Sequence, residues 1–131
     1  MDINALTERI IGCAYRVHNE LGPGFLEKVY ENALQIELEE HGLAAAQQHP
    51  LPVHYHGRVV GDFYADLIVE GRVIVELKAM RKLAQEHEVQ LVNYLAATGV
   101  DDGLLINFGS SVEVKRKFRQ YERQDESTNF L

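Results

Sequence analysis

The apolar positions Ile3, Leu6, Ile10, Ala14, Val17 and Leu21 recur at intervals of three and four, the period of a helix with one face on a core. Asn4 is the expected N-cap, and Gly22-Pro23-Gly24 the stop. A second helix is expected over residues 26–41, with Leu26, Val29, Tyr30, Ala33 and Ile36 or Glu37 following its turns and Gly42 just past its end. After Pro50 the period shortens to two. Leu51, Val53 and Tyr55 alternate, His56-Gly57 reads as a turn, and residues 58–60 return as a short strand. Alternation resumes over 63–69 and 73–78 around Glu70-Gly71, which predicts two antiparallel strands at the middle of a sheet. A third helix fits 82–98, closed by Gly99, followed by a buried strand over 103–108, a Gly109-Ser110-Ser111 turn and a charged strand over 112–118. The expected whole is one α/β domain, residues 1–123, with two N-terminal helices, a mixed sheet built on a central antiparallel hairpin, and one further helix; residues 124–131 read as a flexible tail.

The register of the central hairpin can be deduced. Residues directly opposite in a strand pair point to the same face, so uniting Phe63, Ala65, Leu67 and Val69 with Val73, Val75 and Leu77 requires pairs whose numbers sum to an even value. Pairing Val69 with Val73 does this and predicts a three-residue loop with a bulge at Gly71. The same register sets Asp66 opposite Glu76, with Lys78 two residues further along that face. Two carboxylates and an ammonium inside strands are costly to bury unless they hold a cation or do chemistry. Hard oxygen donors suit Mg²⁺ or Mn²⁺, and the Lys suits an attacking water or developing negative charge, a set fitted to phosphodiester hydrolysis. The spacing alone is equally that of a surface salt-bridge cluster.

Composition narrows the setting. A chain of 131 residues, 46% hydrophobic and 25% charged, can bury a core without disulfides or a structural metal. The only cysteine, Cys13, has no partner in the chain, the first residues carry no leader-like pattern, and no run approaches the ~18 apolar residues of a membrane span. A cytoplasmic protein with no membrane partner is expected. A net charge of −7 excludes coating nucleic acid through bulk electrostatics. Lys115, Arg116, Lys117, Arg119 and Arg123 nevertheless cluster, either as a phosphate-binding face or as a charged edge strand.

Asp66 followed by Val75-Glu76-Leu77-Lys78 resembles the D…(D/E)xK core of the PD-(D/E)xK nuclease superfamily, and Gly24-Phe25-Leu26-Glu27-Lys28-Val29-Tyr30 is similar to the GxxExxY signature of one of its branches. Val17-His18, the segment Gln90-Leu91-Val92-Asn93-Tyr94 with its QxxxY pattern, and Gly103-Leu104-Leu105-Ile106-Asn107-Phe108-Gly109 extend the resemblance over nearly the whole chain. It departs at Ala65, where the family has proline before the Asp. The resemblance implies a restriction-endonuclease-like fold in which Asp66, Glu76, the Leu77 carbonyl and Glu27 hold Mg²⁺ or Mn²⁺ while Lys78 stands beside the attacking water. It further implies that Gln90 and Tyr94, on one helical face with His87, help place the backbone of nucleic acid, DNA in the first instance. Superfamily membership fixes a fold more firmly than an activity, so a non-catalytic nucleic-acid-binding or protein-interaction module remains the alternative, and either could be a homodimer.

Other residues read more plainly. Tyr30 and Tyr94 suit core aromatics with bonded hydroxyls, His18 a cap or packing residue, and Cys13 a small core residue. His54 and His56 form an H-x-H pair expected on one strand face, without a third zinc ligand nearby.

Overall fold

The structure is a computed structural model that describes residues 1–120. The expected tail, 124–131, lies outside the described residues. In order, the chain forms α1 (Ile3–Leu21), α2 (Glu27–Glu40), β1 (Ala45–Tyr55), β2 (Arg58–Val69), β3 (Val73–Lys78), α3 (Gln85–Thr98), β4 (Asp102–Phe108) and β5 (Val112–Phe118). The strands build one mixed sheet in the order β1-β2-β3-β4-β5, antiparallel except for the β3–β4 pair. A parallel pair needs a crossover, and α3 supplies it. Helices α1 and α2 cover one face and α3 the other.

Two cores result. Leu6, Ile10, Val17, Leu34 and Leu38 of the helix pair meet Leu67, Val75, Leu77, Leu104 and Ile106 of the sheet, while Leu91, Tyr94 and Leu95 of α3 meet Leu51, Ala65, Ile74 and Leu105.

Several boundaries differ from expectation for identifiable reasons. Asp2, not Asn4, caps α1, its Oδ1 accepting from the Ala5 N–H at 2.8 Å, while the Asn4 side chain accepts from Arg116. Strand β1 starts at Ala45, well before Pro50, because polar Gln47, Gln48 and His49 and two prolines hide the alternation of an edge strand. Residues 58–60 are not a separate strand but the first part of β2. Helix α3 begins three residues late because the chain after β3 is held elsewhere: buried Asn107 accepts the Met80 N–H at 3.0 Å and donates to the Met80 carbonyl at 2.9 Å.

The hairpin register is as deduced, Val69↔Val73 and Leu67↔Val75, with Glu70 (φ 55°) and Gly71 (φ 63°) left-handed in the loop. The shared face is not. Leu67 and Val69 pack in the core under α1 and α2, whereas Ala65 packs under α3 and the Phe63 ring sits 5.6 Å from that of Tyr94. The change falls at Asp66. There the β1–β2 ladder passes from Gln47↔Leu67 to His49↔Ala65 without a pair between, and Gln48, opposite, is left-handed at φ 52°. His56 is also corrected: it lies in the hairpin turn with φ 49°, stacked on Tyr55, so His54 and His56 do not share a strand face.

Candidate functional site

The irregularity at Asp66 opens a gap between β2 and β3. Past the Leu67↔Val75 pair the backbone ladder gives way to carboxylates: the Leu77 N–H donates to Asp66 Oδ2 at 2.7 Å, and the Asp66 N–H donates to Glu76 Oε1 at 3.3 Å. The N–H and C=O of one strand residue point to the same side, so the Leu77 carbonyl faces this gap too. Asp66, Glu76 and Leu77 thus belong to one cluster even though the ladder stops before them.

Both helical layers reach the gap. From α2, Glu27 lies in the field of Lys78 and Asp66, and Glu31 in that of Asp66. From α3, Tyr94 feels both Glu76 and Asp66, and His87 feels Glu27. The His87 ring is held by the helix start, its Nδ1 accepting the Ala84 N–H at 3.1 Å, which leaves Nε2 as the protonated nitrogen of the neutral ring. Gln90 lies on the exposed surface of α3, one turn before Tyr94.

The electrostatics are those of a site with too much negative charge. Burial pushes the Glu76 carboxyl up to about 8, with the neighbouring Asp66 charge adding to the rise and Lys78 only partly opposing it. Burial also raises Asp66, against the Leu77 N–H bond, and Glu27, against Lys78. The Tyr94 hydroxyl rises by burial and by the charges of Glu76 and Asp66. Four groups on four elements therefore shift in the direction that a bound cation would reverse. The donors are carboxylates and a carbonyl, the hard oxygen chemistry that suits Mg²⁺ or Mn²⁺.

Glu31 and Gln48 escaped the sequence reading. Glu31 is buried at 3% exposure, yet carries a Lys28 ion pair at 2.9 Å and accepts from Gln47 (2.7 Å) and Gln48 (3.0 Å). Gln48 also reaches Asp66 Oδ1 at 3.5 Å and so ties the α2 carboxylate to the strand carboxylate. The only signal was the acid following Tyr30, one helical turn after Glu27. For Gln48 there was none, because its part depends on the left-handed backbone.

The basic cluster divides. Arg116 pairs with Asp102 at 3.2 Å, Lys117 with Glu88 at 3.0 Å and Arg119 with Asp101 at 3.0 Å, which matches the charged edge-strand reading of β5. Lys115 is exposed, and Arg123 lies outside the described residues. The structure does not bring Lys115, Arg116 or Lys117 into the carboxylate gap; β5 is two strands away from β3. Tyr30 is a core aromatic and half-buried His18 a packing residue, as expected. The Tyr30 hydroxyl donates to the Gly22 carbonyl at 2.6 Å and accepts the Phe25 N–H at 3.2 Å, its ring stacks 4.6 Å from that of Phe108, and His18 Nε2 bonds Gly109 O at 2.8 Å.

Comparison with known proteins bears on the family and the fold. None of the proteins with curated functions matches the chain. Among solved structures, the protein SSO0001 superposes with a TM-score of 0.56 at 18% identity, over 79% of this chain and 58% of that one. The chain thus spans little more than half of SSO0001, and the likeness is one of fold. An alkaline exonuclease from Laribacter hongkongensis superposes with a TM-score of 0.49 at 15% identity, over 88% of this chain and 81% of that one. The three helices and mixed sheet form the α/β, restriction-endonuclease-like architecture that the sequence resemblance implied. The profile of the PD-(D/E)XK nuclease superfamily matches residues 4–120, nearly every described residue, and the chain belongs to that superfamily.

Proposed function

We propose that this chain is a divalent-metal-dependent nuclease that hydrolyses phosphodiester bonds of nucleic acid, DNA in the first instance. The observation that carries the reading is the gap in which Asp66 takes the Leu77 N–H and Glu76 the Asp66 N–H, with Glu27 and Lys78 in its field and all three carboxyls raised by burial. Asp66, Glu76, Glu27 and the Leu77 carbonyl would hold Mg²⁺ or Mn²⁺. Such an ion, when bound, neutralises phosphate charge and lowers the pKa of water. Lys78 would orient the attacking water and stabilise the charge that develops on the phosphate oxygens. Glu31, with Gln48, keeps Asp66 in place. Gln90, Tyr94 and His87 form the α3 side of the site and suit contacts to the sugar-phosphate backbone. Lys115 suits a more distant phosphate, while Arg116 and Lys117 would first have to leave their acids.

The test is Mn²⁺-dependent cleavage of labelled single- and double-stranded DNA by wild type, Asp66→Ala and Glu76→Gln. Loss of at least about 100-fold in rate is expected in each variant, with helical content and cooperative unfolding retained. Undiminished hydrolysis in either would overturn the assignment.

A further inference from the structure

A second cluster of ligand-type side chains lies at the seam of the two N-terminal helices, and the proposed hydrolysis makes no use of it. Cys13 of α1 and Glu37 and His41 of the α2 end each offer one donor atom, and the three atoms lie within 4.8 Å of one another. Glu37 and His41 are four residues apart and so share a helix face. Donors on a tetrahedral ion with bonds of about 2.0–2.3 Å stand about 3.3–3.8 Å apart. Closing the cluster onto an ion therefore draws the most separated donors together by about 1 Å.

A further observation points the same way. His41 Nδ1 bonds the Glu37 carbonyl at 2.8 Å. With Nδ1–H donating there, Nε2 keeps its lone pair, and a ligating His commonly has its other N–H given to a backbone carbonyl in this manner. Cys13 is buried, and Glu37 and His41 are half-buried, so a fourth position would open to solvent. The neighbours include two cations. Arg9 donates to the His41 carbonyl, and Arg16 lies beside the Cys13 thiol, where it partly opposes the rise that burial imposes. The Arg16 side chain is exposed, and an ion bound at Cys13 would displace it.

We propose that Cys13, Glu37 and His41 form a site for a borderline transition-metal ion, Zn²⁺ in the first instance, that pins α1 to α2. Thiolate, imidazole and carboxylate together select Zn²⁺ or Co²⁺ over Mg²⁺, so this site and the carboxylate gap draw on different metals. Its effect would be to fix the far end of the helix that carries Glu27, Tyr30 and Glu31.

The experiment uses the full chain carrying Asp66→Ala, which weakens the carboxylate gap, and titrates Co²⁺ followed by Zn²⁺. The expected result is one Co²⁺ per chain with thiolate-to-cobalt charge-transfer absorption, displaced by Zn²⁺ and unaffected by excess Mg²⁺. His41→Ala, a change at the partly exposed helix end, should weaken binding by at least about tenfold, and Cys13→Ser should abolish the absorption. Absence of that absorption in the Asp66→Ala chain, or an affinity unchanged by His41→Ala, would overturn the proposal. Neither outcome bears on the nuclease reading, which the cleavage assay tests by itself.

Discussion

Glu76 would join stability to the proposed function through one carboxyl. Its value of about 8 in the folded chain, against 4.5 for the ordinary group, means that the folded state holds this proton more tightly than the unfolded chain does. The associated stability is present below about pH 4.5 and is lost as the pH rises toward 8. Without metal, Glu76→Gln should therefore raise the thermal midpoint by several degrees at pH 8 and change it little at pH 5. Thermal melts of both proteins across that range check this; parallel curves would mean that Glu76 is not desolvated. Mn²⁺ should stabilise wild type more at pH 8 than at pH 5, because the ion competes with the proton for the same oxygens. Lys78 differs from its neighbours in opposing the raised carboxyls, so two effects should separate in Lys78→Ala. Turnover should fall by about 10²–10³-fold, while Mn²⁺ affinity, read by calorimetry, is kept or raised because a competing cation has gone.

The elements that carry these residues are fixed at few points. Helix α2 has no side-chain cap at Leu26, and its entry is held largely by the Tyr30 hydroxyl, bonded to both Gly22 and Phe25. Tyr30→Phe keeps the ring stacked on Phe108 and removes both bonds. It should cost about 1–2 kcal/mol in denaturant unfolding and lower Mn²⁺-dependent turnover, since Glu27 sits in the first turn of the loosened helix. A stability change without a change in turnover would show that the entry loop does not position Glu27. Elements with a clean period were legible in the sequence: α1, the β2–β3 register, and strands β4 and β5. The sites of failure were those where tertiary contacts override the pattern. Alternation cannot foresee the face change at Asp66, because it depends on Gln48 adopting a left-handed backbone opposite it. The nearness of Asp66 to Glu76 followed from the β2–β3 register, although the ladder itself ends at Leu67↔Val75, and that of Glu27 only from the family resemblance. Glu31 and Gln48 were not legible, because their contacts arise from the packing of α2 across the β1–β2 ribbon.

For the whole molecule, the proposed function asks how a chain of net charge −7 would engage a polyanion. Three of the cations on and beside β5 are already engaged: Arg116 with Asp102, Lys117 with Glu88 and Arg119 with Asp101. Lys115, exposed on β5, and Lys78 in the gap are two positions suited to phosphate, beside exposed Arg81 and Lys82 between β3 and α3, together with whatever charge a bound ion contributes. If Lys115 and Lys78 alone carry the contacts, affinity depends weakly on salt. For single strands the slope of log K against log salt is about −0.7 per phosphate neutralised, so two contacts predict a slope near −1.4. Binding should be measured in Ca²⁺, an oxygen-seeking ion used here in place of Mn²⁺ with the aim of holding substrate without turnover. Lys115→Ala should then make the slope shallower by about one contact's worth, and replacement of Arg116 and Lys117 should leave it unchanged. A wild-type slope steeper than about −3 would imply four or more contacts, and so that Arg81 and Lys82 join them or that the β5 arginines and lysine exchange their acids for phosphate on binding.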